Sequence, residues 1–101
     1  MLKQIILRSK KLRQKNRALL DSFHAMRCAA CFATPCDPAH IKSVGSGGDD
    51  VEDNLLALCR RHHTESHMLG WHHFTEKYPN VRLALGAKGW DFDYNKKLRK
   101  I

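Results

Sequence analysis

The richest chemistry in this chain of 101 residues lies in cysteines and histidines set at short, repeated gaps. Cys28 and Cys31 form a CxxC pair, and Cys59 and His62 form a CxxH pair. A two-residue gap lets both side chains of a pair turn toward one ion, around a tight knuckle in CxxC and where a strand runs into a helix in CxxH. Three thiolates and one imidazole suit tetrahedral zinc, with ligands about 2.0–2.3 Å from the metal. Such a site bridges the end of a first helix to the start of a later one. It adds several kcal/mol of folding energy, up to roughly ten in small zinc domains. Cys36 is left over, either a buried thiol or a substitute ligand.

His40, Asn54, His63 and His67 interleave with these four. Their types suit hydrolysis of a phosphodiester, which needs a nucleophile, an ion to take up charge at the phosphate and help for the leaving oxygen. An imidazole changes charge near neutral pH, so it can activate water, provided a second group fixes its ring. His40 is the candidate base, with Asn54 as its orienter. His63 and His67 stand four apart, on one face of any helix that carries them, and are the candidate ligands of a divalent ion. His62 points to another side of that helix, so adjacent histidines can serve two ions. His72 and His73 read as structural or phosphate-contacting.

The elements that must position these groups are short. Leu12, Leu19, Phe23 and Met26 form one apolar stripe, which predicts a helix from about Ser9 to Met26 with Ser9 as N-cap. Residues 28–37 carry turn chemistry. Ala39-His40-Ile41 reads as a short strand, and Leu55 to Leu58 as another. Between them a loop from Ser43 to Asp53 holds Gly45, Gly47 and Gly48 and the acids Asp49, Asp50, Glu52 and Asp53. A helix is expected from near Arg60 to Gly70, and a further one from Trp71 to Tyr78, stopped by Pro79. Trp90, Phe92 and Tyr94 alternate with acids, as in an extended segment packed on one face.

Eighteen Lys and Arg against ten Asp and Glu give a formal charge of +8, which points to an anionic partner such as nucleic acid. Lys3, Arg8, Lys10, Lys11, Arg13, Lys15 and Arg17 precede the first acid, and Lys96, Lys97, Arg99 and Lys100 close the sequence. No stretch approaches the roughly 18 apolar residues of a membrane span. Ile5-Ile6-Leu7 is too short for a signal-peptide core. The expectation is a soluble, intracellular (cytoplasmic) protein, where four cysteines argue for metal rather than disulfides.

Ala39-His40-Ile41, Gly47-Gly48-x-Asp50-x-x-x-Asn54-Leu55 and Leu58-Cys59-x-x-His62-His63 together resemble the HNH endonuclease family. The likeness runs from Cys28 to about Phe74 and is similar to small HNH nucleases of phages and prophages. It implies an α+β fold: a small ββα-metal core with a structural zinc site and flanking helices. In the family the residue matching His40 is the general base, that matching Asn54 orients it, and that matching His63 binds the catalytic divalent ion. Cysteine pairs hold the structural zinc, with His62 here in place of the usual fourth cysteine. Many members carry Asp or His just before the base as a metal ligand. Here that position is Ala39, so His67, or Asp37 from two residues upstream, has to compensate.

These readings combine into one expectation. The chain is a single nuclease domain over residues 1–101, with a basic helix at about 9–27, a core at about 28–74 and a C-terminal extension at 75–101. It is a metal-dependent DNA endonuclease with His40 and Asn54 as catalytic residues. His63 and His67 hold Mg²⁺, Mn²⁺, Ni²⁺ or Zn²⁺, while Cys28, Cys31, Cys59 and His62 hold structural zinc. The alternative is a zinc-stapled nucleic-acid-binding module without catalysis.

Overall fold

The structure is a computed structural model that describes residues 12–101. Helix α1 spans Arg17–Ser22 and runs on into a turn of 3-10 helix, Phe23–Ala25. Strands β1 (Asp37–His40) and β2 (Leu55–Leu58) follow, then α2 (Arg60–Lys77), α3 (Pro79–Ala87) and the strands β3 (Trp90–Phe92) and β4 (Leu98–Lys100).

The ββα unit forms as expected. β1 pairs antiparallel with β2, with Asp37 opposite Leu58 and His40 opposite Leu55. All four residues of β2 are buried, so it reads as a continuous apolar run rather than an alternating one. They pack with Phe23, Cys36, Ile41, Phe74, Val81 and Leu85 in one core. Gly70 breaks α2 as expected: its φ of 78° lies in the left-handed region that glycine tolerates.

Two readings are corrected. The expected helix from about Ser9 to Met26 is not continuous: Ser9 lies outside the described residues, and residues 12–16 are not helical. Asn16 is the N-cap, its side chain accepting from Leu19 N at 3.0 Å. The backbone groups ahead of it are engaged elsewhere. Gln14 N donates to Asp49 Oδ1 at 2.7 Å, Asn16 N to Asp50 Oδ2 at 2.9 Å, and Asp50 N to Gln14 O at 2.8 Å. These bonds replace the helix ladder, and Leu12, the first member of the apolar stripe, is 86% exposed. The C-terminal segment also differs. Pro79 does not only stop α2 but opens α3 in its first turn, where its missing N–H costs nothing. Trp90 and Phe92 are half-buried in β3, whereas Tyr94 lies beyond the strand and is exposed.

The glycine pair of the loop is sterically required. Gly47 has φ 88°. A Cβ at Gly48 would stand 1.8 Å from Lys42 O and 2.9 Å from Asn54 Nδ2. Gly48→Ala is therefore expected to lower stability by about 3 kcal/mol, as other overpacked sites do. Urea unfolding measures it, and a midpoint within error of the parent would refute the close approach.

Candidate active site

The first cluster is built from two ends of the core. Cys28 and Cys31 lie on a turn closed by Cys28 N donating to Ala33 O (2.9 Å) and Phe32 N to Cys28 O (2.8 Å). Ala29 N donates to Ala57 O at 2.9 Å, which ties this knuckle to β2. Cys59 is the residue before α2, and His62 lies in the helix's first turn. The ligand atoms of Cys28, Cys31, Cys59 and His62 all lie within 4.8 Å of one another. Cys31 Sγ and Cys59 Sγ are 3.8 Å apart, as are Cys28 Sγ and His62 Nδ1, and Cys59 Sγ is 3.2 Å from His62 Nδ1. An ion about 2.3 Å from tetrahedral sulfur ligands sets an edge of about 3.8 Å, so this donor set fits a structural metal. His62 approaches with Nδ1, and Nε2 faces Glu65 at 4.0 Å.

Cys36 is not part of the cluster. Its thiol is buried in the core and donates to Ala33 O at 3.2 Å. Burial, with the nearby ligand thiols, pushes it up to about 11. It remains a protonated core side chain.

The second cluster surrounds a cavity of about 110 Å³ lined by His40, His63, His67, Ser66 and Trp71 among others. His40 sits at the end of β1, and its Nε2 meets Asp50 Oδ1 at 2.7 Å. A carboxylate only accepts, so Nε2 donates, and in the neutral ring the lone pair is then on Nδ1. Asp50 is 3% exposed. Burial acts to raise its pKa, but the His40 bond, the Asn16 N–H and the Arg13 guanidinium at 2.8 Å outweigh it and hold the group far below the usual carboxylate range. Asp50 is thus an anion locked behind the imidazole.

Asn54 acts on the backbone rather than on the ring. Its Oδ1 accepts from Lys42 N at 2.7 Å, and its Nδ2 donates to Lys42 O at 3.1 Å and Asp49 O at 3.0 Å. With Ile41 N donating to Asn54 O at 2.8 Å, the side chain extends the β1–β2 ladder past His40. It also fastens the loop that carries Asp50. The ring itself is held by Asp50, a role that spacing alone does not disclose because the intervening loop has no regular period.

His63 and His67 come together as their i,i+4 spacing implies, with Nε2 atoms 3.3 Å apart. Ligand nitrogens at that separation subtend about 100° at an ion about 2.1 Å from each. His63 Nδ1 donates to Asp37 Oδ2 at 3.1 Å, which turns the lone pair of Nε2 toward His67 and strengthens it as a ligand. Asp37 also pairs with Arg60 at 3.0 Å. Asp37 thus orients the His63 ring, and Ala39 is 1% exposed. Half-buried His72 and exposed His73 form a separate group around Glu76, at 3.8 and 3.4 Å.

Comparison with known families bears on this geometry. The family model described as "Putative HNHc nuclease" matches residues 5–85, most of the chain. The chain belongs to the HNH nuclease family. Membership suggests nuclease function and implies a nucleic-acid substrate. Among curated proteins and among solved structures there is no significant match. No helix among the described residues is long and apolar enough to cross a membrane.

Three groups thus stand near one another: a Cys₃His set that could bind a structural metal, an imidazole backed by a buried anion, and a His–His pair backed by Asp37. Arg13 turns inward to Asp50 and Arg17 pairs with Asp21 at 3.3 Å, while Lys3, Arg8, Lys10 and Lys11 lie outside the described residues.

Proposed function

We propose that this chain is a metal-dependent endonuclease that hydrolyses DNA phosphodiester bonds. The observation that carries the reading is one small cavity lined by His40, with its Nε2 fixed by buried Asp50, and by the paired Nε2 atoms of His63 and His67. His40 Nδ1 takes a proton from water as the water oxygen attacks phosphorus. The resulting imidazolium is stabilised by Asp50, as a buried carboxylate behind a catalytic histidine does elsewhere. The P–O3′ bond breaks and the 3′ oxygen takes a proton from solvent water, leaving a 5′-phosphate and a 3′-hydroxyl. His63 and His67 would hold a divalent cation, which would supply Lewis-acid neutralisation of charge at the phosphate and the departing oxygen. Imidazole donors favour transition metals, and availability favours magnesium. Cys28, Cys31, Cys59 and His62 hold zinc for the fold, not for the reaction.

A second reading, a zinc-stapled nucleic-acid-binding module without catalysis, is favoured by buried Ala39, which leaves the His63–His67 pair without a third ligand from β1. Supercoiled plasmid incubated with the protein and Mn²⁺ or Mg²⁺ separates the two. Nicking is expected with the parent, with a loss of about 10²-fold or more in both His40→Ala and His63→Ala. Retention of plasmid in a gel shift with no nicking under either ion would establish the second reading.

A further inference from the structure

Beside the candidate active site lies a larger opening that the nuclease chemistry does not use. It is a cleft of about 740 Å³ between the Gly70 break of α2, the residues following β1 and the β3–β4 hairpin. Ile41 and Trp71 line both this cleft and the cavity of His40, so the two are neighbours. Trp71, Trp90 and Phe92 supply aromatic surface, and all three are only half-buried. Lys42, Lys96 and Lys97 line the same space, and no ion pair engages any of these lysines among the described residues. The hairpin that carries most of these groups is anchored rather than loose: Trp90 Nε1 donates to Asp53 O at 2.6 Å, and Lys100 pairs with Asp53 at 3.3 Å.

Aromatic faces and unpaired lysines in one open groove suit a particular ligand. In a duplex the bases stack on each other, and only phosphates are offered to the lysines. In an unpaired strand the base faces are free to stack on side chains while the backbone still meets the positive charge. A site for duplex alone has no use for three half-exposed aromatic rings. We propose that this cleft is a subsite for an unpaired DNA strand adjoining the scissile phosphate. The preferred substrate is then DNA with a single-stranded segment, such as a flap or a gap, rather than uniform duplex. As a statement about the substrate this rests on the nuclease reading, but the binding it requires is measurable without cleavage.

The test is fluorescence anisotropy in buffer free of added divalent ions, with the full chain and three labelled probes: a single strand of about twelve nucleotides, its blunt duplex and the duplex bearing a flap. The single strand and the flap are expected to bind at least about fivefold more tightly than the duplex. Phe92→Leu keeps apolar bulk but removes the ring, and should bring that preference close to unity. Lys96→Gln/Lys97→Gln alters only exposed side chains, so it probes the cleft even if Phe92→Leu folds poorly. It should flatten the dependence of log affinity on log salt for the single strand by about 1.4. Equal affinity of the parent for all three probes, or an unchanged salt slope in the double variant, would overturn the proposal. Preference for the single strand in a protein that cleaves neither plasmid nor the flap probe with Mn²⁺ or Mg²⁺ would leave the subsite standing and refute the nuclease reading. Nicking without preference would do the reverse.

Discussion

Asp50→Asn is expected to slow nicking by roughly 10²–10³-fold and to lower stability by about 3 kcal/mol. Both effects follow from one position. Asp50 accepts from His40 at 2.7 Å, from Arg13 at 2.8 Å and from Asn16 N at 2.9 Å while almost fully buried. An asparagine keeps the shape but carries one acceptor oxygen instead of two, and its amide hydrogens must face a donor. The imidazole is then free to take the other tautomer, with its proton where the lone pair is needed. The imidazolium formed in the reaction also loses its counter-ion.

The stability effect has a defined pH dependence. A carboxylate whose pKa is lower in the folded than in the unfolded chain stabilises the fold above the unfolded value, and loses that contribution as pH falls toward the folded one. For Asp50 the folded value is depressed. The difference between parent and Asp50→Asn should therefore be flat from about pH 8 to 5 and shrink below about pH 4. Chemical unfolding across pH measures the second effect, and single-turnover nicking under conditions where both proteins are folded measures the first. A folded Asp50→Asn protein that nicks at the parent's rate would reduce Asp50 to a loop fastener and remove the orienting group from the mechanism.

The ease of reading this chain varied with how local each signal is. The Cys and His pairs were legible because a two-residue gap has few geometries, and the same holds for His63 and His67 one turn apart. β2 was legible as a short apolar run and the α2 break as a lone glycine. What eluded the sequence depends on contacts between distant segments. The Leu12 to Met26 stripe obeys helical spacing, yet residues 13–16 are drawn off the helix by Asp49 and Asp50, more than thirty positions away. The same pairing makes Asp50 the partner of His40. Asn54 was recognised by type and place, but its bonds to the Lys42 backbone depend on a loop whose path Gly47 and Gly48 set. The contact of Asp37 with His63 Nδ1 depends likewise on the packing of β1 against α2.

The remaining large effect concerns the structural metal. Cys31→Ser is expected to abolish stoichiometric zinc binding and to cost about 5–10 kcal/mol, comparable to the whole stability of a domain of this size. Cys31 is the informative choice because it is exposed, whereas Cys28 is buried in the core. A serine there disturbs little packing, so the loss reports the metal. The dependence should be strong because α2 begins at Cys59 with no side-chain cap for its free N–H groups. Thiolates held by an ion at that end place negative charge at the positive pole of the helix. A bound ion would also join α2 to the knuckle before β1, so its loss should release the helix that carries His63 and His67. Zinc content by a colorimetric thiol-exchange assay and helix content by circular dichroism measure the two losses together. His67→Ala separates this site from the other: one zinc per chain and the parent's melting curve should persist while nicking falls. If Cys31→Ser instead keeps its zinc and unfolds within about 1 kcal/mol of the parent, the Cys₃His set is not what holds the fold, since a tetrahedral site that loses one of four ligands cannot retain that energy.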